Sequence, residues 1–479
     1  MVNRPTIIWF TRDLRLRDHP ALQAAARNGP VVPVFILQED DAVRWPLGGA
    51  SKWWLAQSLR SLARDLGEKG AKLILRRGEP SAILAALAKE VGAAAVYWSR
   101  AYEPDLISAQ EDARAALEDA DVTVKRFGGR ILYEPENVAT KDGSPYKVFT
   151  PFYKAILARG GPSEPLPAPD TLPAPEAWPE SDSLETWGLE PTKPDWAGGL
   201  RATWTPGEEG ARDRLAWFLD EAAADYDEMR DRPDIDGTSR MSPHLTWGEI
   251  SPRQIWHAAQ PRAEGGAEKG VESFLSEVVW REFSYHLLFH WPDLPDQSWR
   301  AEFRDFPWDE DEKALRAWQR GQTGYPIVDA AMRQLYEIGW MHNRCRMITA
   351  SFLIKDLLIP WQRGEEWFRD TLVDADLASN SAGWQWAAGS GADAAPYFRI
   401  FNPVRQAERF DPQGDYVRHY VPELADMPAK HIHAPWDAPA KVLRDAGVRL
   451  AETYPEPIVD HAAARKRALA AFETIKRGD

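Results

Sequence analysis

Five short runs of β-branched and aromatic residues, TIIWF, VVPVFIL, KLILRR, AAVYWS and VTVKRF, punctuate the first 130 residues, and helical patterns fill the intervals. No other feature restricts the fold as much. A strand that returns through a helix lies parallel to its predecessor, and the twist of strands admits essentially one hand of crossover. The intervals carry helical spacing: Leu55, Leu59, Leu62 and Leu66 stand at i, i+4, i+7 and i+11, and further patterns begin near Pro80 and Pro104. These residues predict an α/β region built on a five-stranded parallel sheet. No GxxxxGKS or GxxxxGKT motif occurs, which excludes a P-loop enzyme.

The pattern then changes. Residues 134–205 read as a connector, dense in proline between Pro162 and Pro194, and from about Glu208 the chain is helical to its end without strand signals. The expected organisation is 1–133 α/β, 134–205 connector and 206–479 all-α, with no internal repeat. Two loose motif matches fail on context. GSGADA at Gly389 to Ala394 follows a Trp-rich helix end and not a strand, so it is a weak dinucleotide signal. His286 and His290 stand at i, i+4, but HExxH would need Glu after His286; packed histidines are the commoner reading.

Cys345 is the sole cysteine, which excludes an internal disulfide and any Cys-based zinc or iron–sulfur site. No metal is expected. Charged residues follow IIWF within a few positions, unlike a signal peptide, and no apolar run approaches the roughly 20 residues of a membrane helix. A cytoplasmic location without membrane attachment is therefore expected. The net charge of −15 argues against general nucleic-acid affinity. It leaves room for a local basic patch, for which Arg230, Arg344, Arg399 and Arg405 are candidates.

The stretch from Gly339 to Pro403 concentrates chemistry. Asn343, Arg346 and Met347 fall at i, i+3 and i+4 and so share one side of a helix. Asp374 and Asp376 offer Arg346 a carboxylate partner, and Asn380, Trp384 and Trp386 follow among small residues. An arginine, aspartates and two amides among aromatics suit a planar, hydrogen-bonding heterocycle in a mostly dry pocket. The plainer reading is a helical core with buried ion pairs. GTSRMS (Gly237 to Ser242) supplies hydroxyls, a glycine and an arginine before a helix, fit for a pyrophosphate or simply for a helix cap.

This stretch closely resembles the flavin-binding core of the DNA photolyase and cryptochrome family, through WMHNR, MITASFLIKDLL, GWQWAA and DAAPYFRIFNP. TSRMSPHLTWGEISPRQ, EVVWREFSYHLL, GYPIVDAAMRQL and the N-terminal WFTRDLRLRDHPAL share the likeness, which spans nearly the whole chain. The resemblance implies a Rossmann-like N-terminal sheet domain, a long connector and an all-helical domain binding FAD. It implies that Thr238, Ser239, Arg240 and Ser242, with Tyr226 upstream, clamp the cofactor's phosphates. Met241, Glu277, Arg281 and Trp340 join the cofactor set. Arg346 paired with Asp374, together with Asp376 and Asn343, should surround the isoalloxazine and ribityl region, with Asn380 facing flavin N5. A neutral amide there suits fully reduced flavin, whereas plant cryptochromes have an ionisable aspartate.

Trp384, Trp361 and Trp308 match the family's electron-carrying tryptophan chain, with packing aromatics as the alternative. The substrate side resembles Glu277, Trp280, Asn343, Met347 and Trp386; Arg230, Arg344 and Arg399 are the further DNA-binding candidates. Flipping of the lesion is inherited from the family. Glu277 could donate to a base carbonyl if burial keeps it protonated, or instead pair with Arg281, its i+4 neighbour. Members that repair (6-4) lesions carry histidines where Asn343 and Met347 stand, so cyclobutane dimers are implied. GGASKWWL and YEPDLI resemble plant cryptochromes and a related bacterial class, and Asp105 and Leu106 replace an asparagine–glutamate pair used elsewhere for a folate antenna. Methenyltetrahydrofolate is the expected antenna and a deazaflavin the alternative. The implied function is light-driven repair of UV-damaged DNA by a monomer, the rival being a cryptochrome-type photosensor.

Overall fold

The computed structural model describes residues 4–476. The chain forms two compact units. One comprises the chain through Ala197, then Arg201–Ala224 and Ser239–Pro292; the other comprises Gly198–Leu200, Asp225–Thr238 and the chain from Asp293 onward.

The first unit is built on strands β1 (Thr6–Phe10), β2 (Val31–Leu37), β3 (Ile74–Arg77), β4 (Ala95–Ser99) and β5 (Thr123–Phe127). They form one parallel sheet in the order β3-β2-β1-β4-β5, with Ile7 opposite Val32 on one side and Val96 on the other. β1, β2 and β4 are buried along their whole length, which is why their sequences read as unbroken apolar runs. The connecting helices are α1 (Pro20–Asn28), α2 (Gly49–Glu68), α3 (Pro80–Val91) and α4 (Pro104–Glu118), three of them opening on proline, whose fixed φ and missing N–H cost nothing there. β5 is an edge strand and carries exposed Lys125 and Arg126, charges that discourage pairing with another chain.

The run KLILRR is longer than β3. Pairing with β2 starts only at Val34 and Ile74, because the connector takes the earlier position: Val31 N–H donates to Pro173 O at 2.9 Å. Leu172 N–H to Lys69 O (2.8 Å) and Asp182 N–H to Leu75 O (2.9 Å) continue this contact, so the irregular stretch is tied along the sheet. Ahead of it the connector contains a helix, Phe149–Leu157. Arg15 and Asp18 of WFTRDLRLRDHPAL are spent internally. Buried Arg15 donates to Gly248 O (2.9 Å) and Gly129 O (2.9 Å), and Asp18 pairs with Arg253 at 2.7 Å.

The second unit holds helices and no β-strand among the described residues. Its main core gathers Trp318, Met332, Cys345, Phe352, Trp361 and Trp384. The helices Asn343–Ser351, Trp361–Thr371 and Leu377–Ala388 supply Asn343, Arg344, Arg346, Met347, Trp361, Asn380, Trp384 and Trp386, and the last helix packs on the other two.

Candidate functional site

The helix Asn343–Ser351 starts where His342 Nδ1 accepts the Arg344 N–H at 3.2 Å. That start sets Asn343, Arg346 and Met347 on the expected side; Asn343 is exposed and the other two are half-buried. Arg346 donates from Nη2 to Asp374 Oδ2 at 2.7 Å and from Nε to Met341 O at 2.8 Å. The Asp374 side chain is 1% exposed, and its Oδ1 makes no hydrogen bond within the protein. Asp376 accepts the Ser379 N–H at 2.6 Å and so caps the helix Leu377–Ala388.

Asn380 lies one turn into that helix. Its Nδ2 donates to Glu365 Oε1 at 2.8 Å and to Glu365 O at 3.3 Å. With the amide nitrogen engaged on Glu365, the Oδ1 atom is left to serve as an acceptor. Glu365 carries no local sequence signal; it is reached only by packing of the helix Trp361–Thr371 on Leu377–Ala388. Burial pushes the Glu365 carboxyl from 4.5 up to about 7, against the lowering effects of Arg369 and Asn380. The native state therefore binds this proton more tightly than the unfolded chain. The resulting stabilisation is complete below about pH 4.5 and is lost as pH rises through about 7. Glu365→Gln should remove that dependence, so the stability difference between parent and variant should change across this window by on the order of 1–3 kcal/mol. Urea midpoints that differ by the same amount at every pH would refute it.

The three tryptophans differ in burial. Trp384 is 3% exposed and Trp361 is fully buried, while Trp308 is half-buried against Phe306 with ring centroids 4.3 Å apart. Trp361 Nε1 donates to Ser298 Oγ at 3.2 Å. Trp384 stands edge-on to Phe368 (4.9 Å) and Trp318 (6.1 Å). Its ring also presses on Gly364, where an added Cβ would lie 2.1 Å from Trp384 Cη2 and 2.7 Å from Leu353 Cδ2. Gly364→Ala should accordingly cost about 1–3 kcal/mol by overpacking, read as a lowered urea midpoint.

Within the first unit, the helix Glu268–His290 presents Glu277, Trp280 and Arg281, all half-buried. Trp280 stacks on Phe149, with centroids 3.6 Å apart and planes within 7°. Phe149, in the stretch expected to be a connector, is a residue the sequence reading missed. Arg281 approaches Glu282 Oε1 and Arg130 O, each at 3.3 Å, and lies over the Tyr285 ring. In the same unit Arg240 adopts φ +52, a left-handed conformation that is uncommon outside glycine and concentrates at ligand sites. Arg214 Nε donates to Ser239 O at 3.0 Å. The helix-cap alternative is not what forms: the short helix beginning at Ser242 has Met241 at its N-cap position and no side-chain cap bond. Tyr226, Arg230 and Thr238 belong to the second unit, where the Arg230 guanidinium lies over the Tyr226 ring at 5.5 Å. Trp340 is buried, edge-on to His342.

The basic candidates are not equivalent. Arg344 Nη2 donates to Asp231 Oδ2 at 2.6 Å and its guanidinium sits 4.4 Å over the Phe410 ring, so this cation is already neutralised within its unit. Arg399 and Arg405 are exposed, and Arg399 follows Phe398, which is 62% exposed. Met347 and Trp386 are half-buried.

Residues 274–474 match the FAD binding domain of DNA photolyase, and residues 6–171 match a second family description, DNA photolyase. The chain belongs to the photolyase and cryptochrome family. It is 52% identical to a deoxyribodipyrimidine photo-lyase of Agrobacterium fabrum over 99% of this chain and 98% of that protein. Cryptochrome-2 of Arabidopsis thaliana is 38% identical, covering 97% of this chain and 78% of the plant protein. A crystal structure of a bacterial class III photolyase from Agrobacterium tumefaciens superposes with a TM-score of 0.96 at 51% identity, covering 100% and 98% of the two chains. The residues fit a flavin. An unbonded, buried Asp374 oxygen, a fixed Arg346 fork and a free amide oxygen on Asn380 are the donors and acceptors that a hydrogen-bonding heterocycle needs.

Proposed function

We propose that this chain is a light-driven cyclobutane pyrimidine dimer photolyase acting on UV-damaged DNA. The observation that carries the reading is Asn380: a neutral amide whose nitrogen is held by Glu365 and whose oxygen is left as an acceptor, in a unit whose core holds Trp384 and Trp361. In its role as cofactor, FAD supplies light absorption and one-electron chemistry. The protein supplies position and dryness. Arg346, Asp374, Asp376 and Asn343 hold the ring and ribityl region, and Asn380 accepts from N5–H. Tyr226, Thr238, Ser239, Arg240, Met241 and Ser242 hold the phosphates, with Glu277, Arg281 and Trp340 completing the set.

On the substrate side, Trp280 and Trp386 form flat walls for a flipped dimer, Met347 gives a soft contact, and Glu277 and Asn343 serve its carbonyls. Trp280 is preorganised for this, since Phe149 already supports its other face. Residues 1–133 bind the antenna, 134–205 connect and 206–479 carry FAD. The antenna is methenyltetrahydrofolate, with a deazaflavin as the competing identity. Asp105, whose Oδ2 accepts the Arg44 N–H at 2.7 Å, orders the loop ahead of GGASKWWL. The protein works as a cytoplasmic monomer without a metal.

DNA contact falls on exposed arginine. Arg399→Ala should weaken binding to damaged and intact duplex alike and flatten the log–log salt dependence by about one. Arg344→Ala should instead leave the salt slope unchanged and cost about 1–3 kcal/mol of stability, because it breaks the bond to Asp231. A salt series on both variants separates these outcomes.

The test of the reading is direct. Denaturation of the purified protein should release FAD, and mass spectrometry of the released material identifies the antenna. Blue light should then restore dimer-containing oligonucleotides, with no repair in the dark. A flavin-bearing protein that leaves dimers intact under light would be a photosensor instead.

A further inference from the structure

The second unit contains a cavity of about 440 Å³ whose apolar lining comprises Phe303, Trp308, Leu315 and Ile359. Ser298, whose hydroxyl accepts the indole N–H of Trp361 at 3.2 Å, also lines it. The cavity therefore touches the outermost tryptophan of the chain and the partner of the middle one. Charge around it is lopsided. Asp296 and the four consecutive acids at 309–312 line it, against only two guanidiniums, Arg304 and Arg363. Pairing removes charge from both sides, since Arg363 Nη1 lies 2.8 Å from Glu312 Oε1 and Arg467 Nη1 lies 3.9 Å from Asp309 Oδ2, and the lining carboxylates still outnumber the guanidiniums.

We propose that this cavity binds a small aromatic amine, a single electron-rich ring bearing a cationic side chain, which acts as the reductant of Trp308. The proposal rests on the reading of Trp384, Trp361 and Trp308 as an electron path. An aromatic wall suits a planar ring, and the surplus of carboxylates favours a cation. The same surplus repels nucleotide reductants, whose phosphates are anionic. The volume accommodates one ring with a short chain and has the size of a small-molecule site. The step balances as one electron and one proton. The photo-oxidised Trp308 indole takes one electron from the ring of a phenolic amine, the phenol becomes a phenoxyl radical, and its hydroxyl proton passes to water.

The experiment uses the FAD-bearing protein labelled with 5-fluorotryptophan, with the Trp308 fluorine resonance assigned through Trp308→Phe. Tyramine is the probe, and the anionic 3-(4-hydroxyphenyl)propionate is its control. Tyramine should shift the Trp308 resonance saturably in the dark, and the anion should bind several-fold more weakly. Asp309→Asn combined with Glu310→Gln should weaken tyramine binding by about tenfold, the sum of two solvent-screened charge contacts. After a laser flash, tyramine should speed the return of the tryptophan absorption with a saturating concentration dependence. An unmoved Trp308 resonance, equal binding of the anion, or a strictly linear acceleration each overturns the proposal. Unimpaired photoreduction in Trp308→Phe would sink the electron-path reading and the donor role with it, whereas the dark fluorine shift tests the binding site alone.

Discussion

In FAD-bearing protein, Trp384→Phe is expected to abolish light-driven reduction of the oxidised cofactor while leaving repair by chemically reduced protein near the parent level. Trp384 is buried, its Nε1 makes no hydrogen bond within the protein, and Phe368, Trp318 and Gly364 hold the ring in place. Phenylalanine retains much of that packing but gives up an electron far less readily than indole. On the proposed reading, repair by pre-reduced protein does not need an outward route through Trp361 and Trp308, so the two activities should separate. The measurement is paired: bleaching of the oxidised flavin bands under blue light with an external reductant, and repair of a dimer-containing oligonucleotide after dithionite reduction. Bleaching at the parent rate would mean that another aromatic, with Trp318 the nearest candidate, delivers the electron. Loss of both activities would mean that Trp384 is needed to shape the pocket.

The second large effect is expected at Asp374. Asp374→Ala removes the carboxylate that holds Arg346 at 2.7 Å and deletes the buried Oδ1. Losing a charge-assisted bond in a dry site costs about 1.5–3 kcal/mol, so FAD affinity should fall roughly tenfold to hundredfold. Asp374→Asn, which keeps the shape and loses the charge, should fall between parent and alanine. Flavin content after gel filtration, together with FAD titration of the stripped protein, reads this out. Stoichiometric flavin in Asp374→Ala at parent affinity would remove Arg346 and Asp374 from the cofactor site.

Much of this protein is legible in its residues because the determining forces are local. β1 and β2 coincide with TIIWF and VVPVFIL, and α3 and α4 start at the prolines that mark them, because strand runs and proline starts act within a few residues. The family motifs carried the family assignment that the comparisons establish. β3 marks the limit: its run is right and its start is not, since a segment a hundred residues away holds the neighbouring N–H of β2.

The functional detail lies beyond that range. Asn380 can be read from the chain, but the direction of its amide depends on Glu365, fifteen positions earlier on another helix. Arg344 looks like a free cation in WMHNR, yet Asp231 neutralises it from 113 residues away. Trp280 is an obvious aromatic, but only its stacking on Phe149 decides which face remains for a ligand. By itself the sequence determined the elements, their order, the family and the residue types at the site, since periodicity, proline and motif chemistry are short-range. Tertiary structure alone decided which polar atoms are already satisfied and which are left for a ligand, because hydrogen bonds and ion pairs join groups that packing brings together from distant parts of the chain.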